Sequence, residues 1–573
     1  MPIHNTDIAD IFNKLANLLE IKEANQFRVR AYRNAASTIS SLSKSAADMI
    51  EDSEDLTQLP GIGEDLAGKI EEIVKTGSLA QLTEIEKDVP ANLDELMDIP
   101  GLGAKRARKL YEELGITSLD ELKKAAESGK ISEIEGFGQK TEENILEELK
   151  HGGEGEKRIQ ISVAEEYVIP LIDYLQDMDG VNQVEVAGSY RRRKETVGDL
   201  DILVTGDTHN RIIEYFIEYD EVDEVASKGE TRSSIVLNSG IQVDLRAVSQ
   251  GSYGAALLYF TGSKSHNVKL RNMAIDRDLK INEYGVFKDK ERIVGKTEKE
   301  IYEILDLSYI DPELRENRDE VEASQKGELP DLVTLEDIRG DLQCHTKASD
   351  GHASLREMVE AAKEKGYEYL AITDHSPLVA VANGLDADGL AEQIDKIDEL
   401  NSKINDFLIL KSIEVDILED GSLDLGDDIL ERLDLTICSI HSKFNLTEEK
   451  QTERIIKAMD NPNFNILAHP TGRRIGKRRP YEVNMERLME AALERGCFLE
   501  VNAHPERLDL NDVYCKLAKE IGLKIPISTD AHRKDELENI KFGVWQARRG
   551  WLEKDDVLNT RNWGDLKNLL KRS

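Results

Sequence analysis

The feature that most narrows the fold lies beyond residue 337 of the 573-residue chain. Seven short apolar runs alternate there with amphipathic helical stretches: GDLQCHT, YLAITDH, LILKSIEVD, LTICSIH, FNILAHP, FLEVNAH and IPISTDAH. Strands alternating with helices build a parallel sheet, most simply one closed into a barrel. Nearly every run ends in His, Asp or Glu, and in such barrels the chemistry sits at the C-terminal strand ends. Seven of the eleven histidines fall between His345 and His532. Five of them end separate expected strands, accompanied by Asp350, Glu414 and Asp530, a donor set that suits divalent ions and is hard to explain as packing.

A second constraint is the string GSYRRRKETVGDLDILV (188–204), in which four consecutive bases precede two carboxylates spaced two apart. In a strand, residues i and i+2 face the same side, so Asp199 and Asp201 point together while Leu200 and Ile202 face the core. A third carboxylate comes from IQVDLRAV, where Ile241, Val243 and Leu245 alternate with Gln242, Asp244 and Arg246. Three such carboxylates can hold two divalent ions for phosphoryl transfer, and Mg²⁺ prefers oxygen ligands of this kind. The Gly188-Ser189 turn and Arg192 would then hold triphosphate oxygens. Strand-like runs and helical stretches alternate across 155–255, a mixed α/β pattern.

Residues 1–150 read as helical. One hairpin signal recurs, in LPGIGEDLAGKI, IPGLGAKRARKLYEEL and IEGFGQKTEENILEEL, each an apolar residue, a spacer, then Gly-apolar-Gly before a helix. The pairs Gly61/Gly63, Gly101/Gly103 and Gly136/Gly138 permit a tight turn and let backbone N–H groups approach a phosphate at the helix start. The third copy carries Glu135 where the others have Pro60 and Pro100. The net charge of -38 argues against polyanion binding by the whole surface, so any binding to nucleic acid would have to rely on local features. Four cysteines without a CxxC pair suit a reducing cytoplasm, and no apolar stretch reaches membrane-spanning length. From Asp311 to Asp341 eleven acids face four bases with no strong periodicity, which reads as a linker.

The triple hairpin resembles the helix-hairpin-helix motif, which grips a DNA backbone without reading sequence. GS, arginines and GDLD, followed by VDLR and YFTGSKSHNVKLR (259–271), resemble the family X DNA polymerases related to DNA polymerase beta. The residues from 337 onward resemble the PHP (polymerase and histidinol phosphatase) family, distorted barrels that bind up to three ions, often Mn²⁺ or Zn²⁺, and hydrolyse phosphoesters. These resemblances imply a multidomain α/β chain. A lyase-like helical domain (1–83) and a fingers-like helical domain (84–155) would carry the hairpins. An α+β palm (156–255), a thumb (256–317), a linker (318–336) and a (β/α)7 PHP barrel (337–573) would follow.

In the palm and thumb the resemblance implies that Asp199, Asp201 and Asp244 ligate metal, with Asp244 the base for the primer hydroxyl. Ser189, Arg192 and Arg158 would contact the triphosphate beside Gly188. Tyr259, Phe260 and Gly262 would line the sugar and its backbone, with a hydrophobic-core role for the two aromatics equally open, and Asn267 and Arg271 would touch the nascent pair. Gln242 stands where the beta enzyme has an arginine, and Lys264 where it has an acid. Lys69 matches a Schiff-base lysine, but Asp65 one turn earlier replaces a lysine, so a phosphate contact competes with a lyase role. In the barrel the implied ligands are His345, Asp350, His375, Glu414, His441, His469, Asp530 and His532. Gln343 replaces the first histidine of the usual His-x-His, so one ion is expected to bind loosely or be absent. Arg473 and Arg474 would hold the phosphate or form a simple basic loop. The expected activity is short-gap filling on primer-template DNA with dNTPs by a cytoplasmic monomer. A 3′–5′ exonuclease or 3′-phosphodiesterase would accompany it, with abasic-site processing or deoxyribose phosphate lysis as further expectations. The rivals are another nucleotidyltransferase, or a DNA-repair scaffold with a weakened barrel site.

Overall fold

Ile8, Phe12, Leu15 and Leu19 recur at helical spacing and are buried on one face of the helix Asn5–Ile21. They pack against Val29, Tyr32 and Ile39 of Gln26–Ser40. The computed structural model describes residues 5–572 except 41, 43–45, 91–92, 100–101, 135, 140, 143–144, 147–157 and 380–381. The chain separates into two compact units, Met1–Lys157 and Arg158–Ser573. In the first, one cluster of buried side chains runs from Ile8 to Ile145 and crosses the division expected after residue 83.

The second unit begins with the palm. Its five strands are β1 (Val181–Val186), β2 (Leu200–Gly206), β3 (Val222–Lys228), β4 (Arg232–Leu237) and β5 (Gln242–Ala247), in the order β1-β2-β5-β4-β3. The central pair β2 and β5 is parallel, and its neighbours are antiparallel. Leu200, Ile202, Val204, Val243 and Leu245 are buried beneath the helices Ile161–Gln176 and His209–Ile217. The thumb follows, with the helices Tyr253–Thr261 and Lys264–Ile275 and a three-stranded sheet.

The acid-rich segment is not a solvated linker. Arg315 and Glu320 are fully buried, Glu320–Lys326 is a helix, and Val321 lies in the thumb core. His266 Nδ1 sits 2.7 Å from Glu320, and Arg315 pairs with Glu298 at 2.6 Å. Composition misled because these charges are neutralised by partners distant in sequence rather than by water.

The barrel has the seven staves that the alternation of runs requires. They are Gly340–Asp341, Tyr369–Ile372, Leu408–Lys411 continued by Glu414–Asp416, Ile437–Ser439, Ile466–Leu467, Phe498–Leu499 continued by Val501–Asn502, and Ile527–Ser528. All pair in parallel, and a Cys344–Ala531 bridge joins the first run to the last. Palm and barrel share buried surface: Leu508 and Phe542 belong to the palm core. No described helix is long and apolar enough to cross a membrane.

Candidate active sites in the palm and the barrel

Parallel register sets Asp201 directly opposite Asp244 on β2 and β5, and Asp199 precedes β2 on the same side. Ligand oxygens of the three lie within 4.8 Å of one another. Burial and the charges of Asp199 and Asp244 push the Asp201 carboxyl up to about 7. Like charges held this closely call for a cation, so the residues fit divalent metal. Asp244 accepts from Ser234 Oγ through Oδ1 and from Gln242 Nε2 through Oδ2 at 3.1 Å. Gln242 thus gives the carboxylate a neutral donor.

Gly188 has φ +62, and a Cβ there would come within 2.7 Å of Asp201 Oδ2. Glycine is therefore required both by conformation and by space. Arg192 donates through Nε to Glu316 at 3.0 Å and through Nη1 to the carbonyl of Thr261. Gly262 lies beside that guanidinium, and its Cβ would meet Nη1 at 3.1 Å. Arg158 bonds Thr196 Oγ1 and its carbonyl at 3.0 and 2.6 Å, just ahead of Asp199. Tyr259 is 38% exposed, whereas Phe260 packs under Arg246 at 4.2 Å and against Leu203 and Leu257. Asn267 donates to the carbonyl of Tyr259 at 2.8 Å, and Arg271 Nε to that of Asn267 at 3.3 Å. Ser189 lies in the short helix Gly188–Arg191.

In the barrel, all eight expected ligands converge. Glu414, 1% exposed, is the hub: His469 lies 3.1 Å from it, His345 3.3 Å, and His375 and His441 3.5 Å each. Asp530 lies 3.1 Å from His345, and Asp350 approaches His375 at 3.5 Å and His532 at 3.3 Å. Three overlapping groups emerge: His345, Asp350, His375 and His532; His375, Glu414 and His441; His345, Glu414 and Asp530. His345 Nδ1 and His375 Nδ1 are buried without a hydrogen-bond partner, as imidazoles meant for metal would be. Gln343 Nε2 donates to Glu414 at 3.1 Å and to Asp530 at 3.5 Å, so an amide stands where an imidazole was expected.

A DNA polymerase beta palm matches residues 160–232 and a DNA polymerase beta thumb residues 256–316. A helix-hairpin-helix domain matches 3–79, a SAM-like helix-hairpin-helix tandem 93–151, and a PHP domain 341–504. DNA polymerase/3′-5′ exonuclease PolX of Bacillus subtilis is 39% identical over 575 residues, covering all of both chains. The chain belongs to the family X DNA polymerases with a C-terminal PHP domain. The PHP part has other relatives. A probable phosphatase of Thermoanaerobacter sp. is 33% identical over 243 residues, 40% of this chain and 94% of its own. Another, of Caldanaerobacter subterraneus, is 34% identical over 205 residues, 34% and 75% respectively.

For a family X polymerase, the hairpins bear on DNA. Ile62, Leu102 and Phe137 are buried, and each donates its N–H three residues back, to Leu59, Ile99 and Ile134 at 3.1, 2.9 and 2.9 Å. Gly63 and Gly103 then cap the helices Glu64–Thr76 and Ala104–Leu114. Gly61 and Gly136 have positive φ, which accounts for them. Gly63, Gly103 and Gly138 do not, and a Cβ on any of them would meet nothing within 4 Å. Packing inside the protein does not ask for these glycines. Gly101 lies outside the described residues. Lys69 Nζ pairs with Asp65 and lies 5.9 Å from the Tyr32 ring. The expected acid neighbour is thus its direct partner.

Three barrel residues escaped sequence reasoning. Asp416 accepts from the N–H of His441 and lies 3.2 Å from its Nδ1, fixing the ring as a carboxylate behind a metal-binding imidazole does. Its signal was the i+2 spacing from Glu414. Asn502 donates to Asp530 at 3.1 Å. Arg507 lies 3.4 Å from Asp530, with Nη1 buried and unpartnered; nothing local to ERLDL marked it. Conversely, Arg473 is taken by Glu195 and the carbonyl of Leu508, and Arg474 by Glu506. His504 uses Nδ1 to accept from the N–H of Glu506 at 3.3 Å.

Proposed function

We propose that the palm fills short DNA gaps by adding dNTPs to a primer, and that the barrel removes nucleotides or blocking groups from 3′ ends, the chain acting as a monomer. The observation that carries the polymerase half is the convergence of Asp199, Asp201 and Asp244 beside the Gly188 turn. These residues would hold two Mg²⁺ ions, which supply charge neutralisation for the triphosphate and the attacking hydroxyl. Asp244 accepts the proton of the primer 3′-hydroxyl, its oxygens aimed by Ser234 and Gln242. Ser189, Arg192 and Arg158 donate to phosphate oxygens, Tyr259 and Phe260 flank the sugar, and Asn267 and Arg271 meet the nascent pair.

In the barrel His345, Asp350, His375, Glu414, His441, His469, Asp530 and His532 would hold Mn²⁺ or Zn²⁺, which supplies Lewis acidity toward the phosphodiester. Arg507 presents its free Nη1 to a non-bridging phosphate oxygen. Asp416 keeps His441 in one orientation. The Asp65 ion pair favours reading Lys69 as a backbone contact over reading it as a nucleophile.

The test uses gapped, 3′-labelled DNA with Mg²⁺ or Mn²⁺ and compares the parent with Asp244→Ala and His441→Ala. The first is expected to lose extension and keep degradation, and the second to do the reverse. Loss of both activities in either variant would refute two separate centres.

A further inference from the structure

The loop that follows Gly188 is gripped by the barrel at three residues. Arg549, on the barrel helix Ile540–Arg549, donates through Nη1 to the backbone carbonyl of Arg192 at 2.7 Å. Arg193 stacks its guanidinium 4.0 Å over Trp545 of the same helix and 5.2 Å over Tyr190. Its φ of 56 lies in the left-handed region, a costly conformation for a residue with a Cβ. Glu195 receives both Nη atoms of Arg473, at 3.3 and 2.6 Å. The loop conformation is thus held from outside the palm.

The side chain of Arg192 adds a second link. It pairs with Glu316 at 3.0 Å, and Glu316 also receives Arg549 at 3.1 Å. Arg192 holds Glu316 through Nε; where it gives up that contact to turn to a triphosphate, a buried carboxylate loses one of its cations, which is disfavoured. Arg549 keeps its own contact with that carboxylate, with Lys194 a further cation nearby. It is itself anchored by Asp512 at 2.7 Å, which Arg318 holds at 3.0 Å.

We propose that Trp545 and Arg549 of the PHP barrel are positioning residues for nucleotide incorporation, shaping the loop 192–195 and retaining Glu316 when Arg192 turns to the triphosphate. This rests on Arg192 being a triphosphate contact. The barrel is then a structural part of the polymerase's nucleotide site as well as a site of its own.

The experiment measures gap filling and single-stranded 3′ degradation by the full-length protein carrying Trp545→Ala, Trp545→Phe, Arg549→Ala or Arg192→Ala, and the double variant Arg192→Ala/Trp545→Ala. Trp545→Ala and Arg549→Ala are expected to raise KM for dNTP about tenfold, as loss of a charge-assisted contact does, with kcat little changed. Degradation should be untouched, and Trp545→Phe, which keeps an aromatic face for Arg193, should recover most of the affinity. The double variant should be no worse than Arg192→Ala, because Trp545 acts through that arginine. If Arg192→Ala leaves KM unchanged, the triphosphate reading itself fails. If Arg192→Ala raises KM while Trp545→Ala and Arg549→Ala do not, the triphosphate reading stands and the positioning role is overturned. A parallel loss of degradation in both barrel variants, or additivity in the double variant, would also overturn it. Should Arg549→Ala not fold, the two Trp545 variants decide.

Discussion

Replacing Asp201 with asparagine should make the metal-free protein more stable while abolishing nucleotide incorporation. Burial and the neighbouring carboxylates raise the Asp201 carboxyl from 3.8 to about 7. The folded protein therefore binds this proton more tightly than the unfolded chain. The associated stability is complete below pH 4 and is lost as pH rises toward 7. A gap of about 3 pH units at 1.36 kcal/mol each corresponds to about 4 kcal/mol of strain at pH 8. The charges of Asp199 and Asp244 stand beside it, so an isosteric neutral side chain at position 201 should recover about 2–4 kcal/mol. The assay is denaturant unfolding of parent and Asp201→Asn in EDTA, following the transition of the unit that contains the palm. The variant should be the more stable at pH 8, the difference should shrink to about 1–2 kcal/mol at pH 5, and it should close near pH 4. Mg²⁺ should stabilise the parent and narrow the gap at pH 8. A metal-free variant that is equally or less stable than the parent at pH 8 would refute the electrostatic account of the site.

Two further outcomes are expected. Gln343→His restores an imidazole beside Glu414 and Asp530. Metal analysis after equilibrium dialysis should then show about one more ion per chain, and unchanged content would show that position 343 does not limit occupancy. Gly103→Asp places a good N-cap side chain where nothing in the protein stands within 4 Å of the new Cβ. Stability should hold or rise by a few tenths of a kcal/mol, while DNA affinity falls about tenfold through repulsion of the backbone phosphate. A loss of stability equal to the loss of binding would show that the glycine serves the fold and not the DNA.

Local rules made much of this chain legible in advance. Alternation in DLDIL and VDLRAV placed Asp199, Asp201 and Asp244 on the polar side of two strands whose other side is apolar. Runs ending in His, Asp or Glu placed the barrel donors at one end of the staves, because side-chain direction within a strand follows from its period of two. The hairpin glycines were legible for the same reason, since a turn is decided by a handful of neighbouring residues. Gln343 was visible as an interruption of a spacing, and Asp65 as an acid one turn before Lys69.

Tertiary structure alone decided what depends on partners remote in sequence. The segment beyond Asp311 read as a solvated linker because its charges have no local partners; Arg315 finds Glu298, and Glu320 finds His266, only when the thumb folds. Arg473 is claimed by Glu195 across 278 residues, and Arg507 is left with Nη1 unpaired beside Asp530. That Arg192 and Arg549 share Glu316 is likewise invisible along the chain. Strand period, turn geometry and helical spacing act over a few residues and can be read from order. The pairing of charges is settled by which groups are brought within reach and stripped of water, and that is a property of the folded molecule.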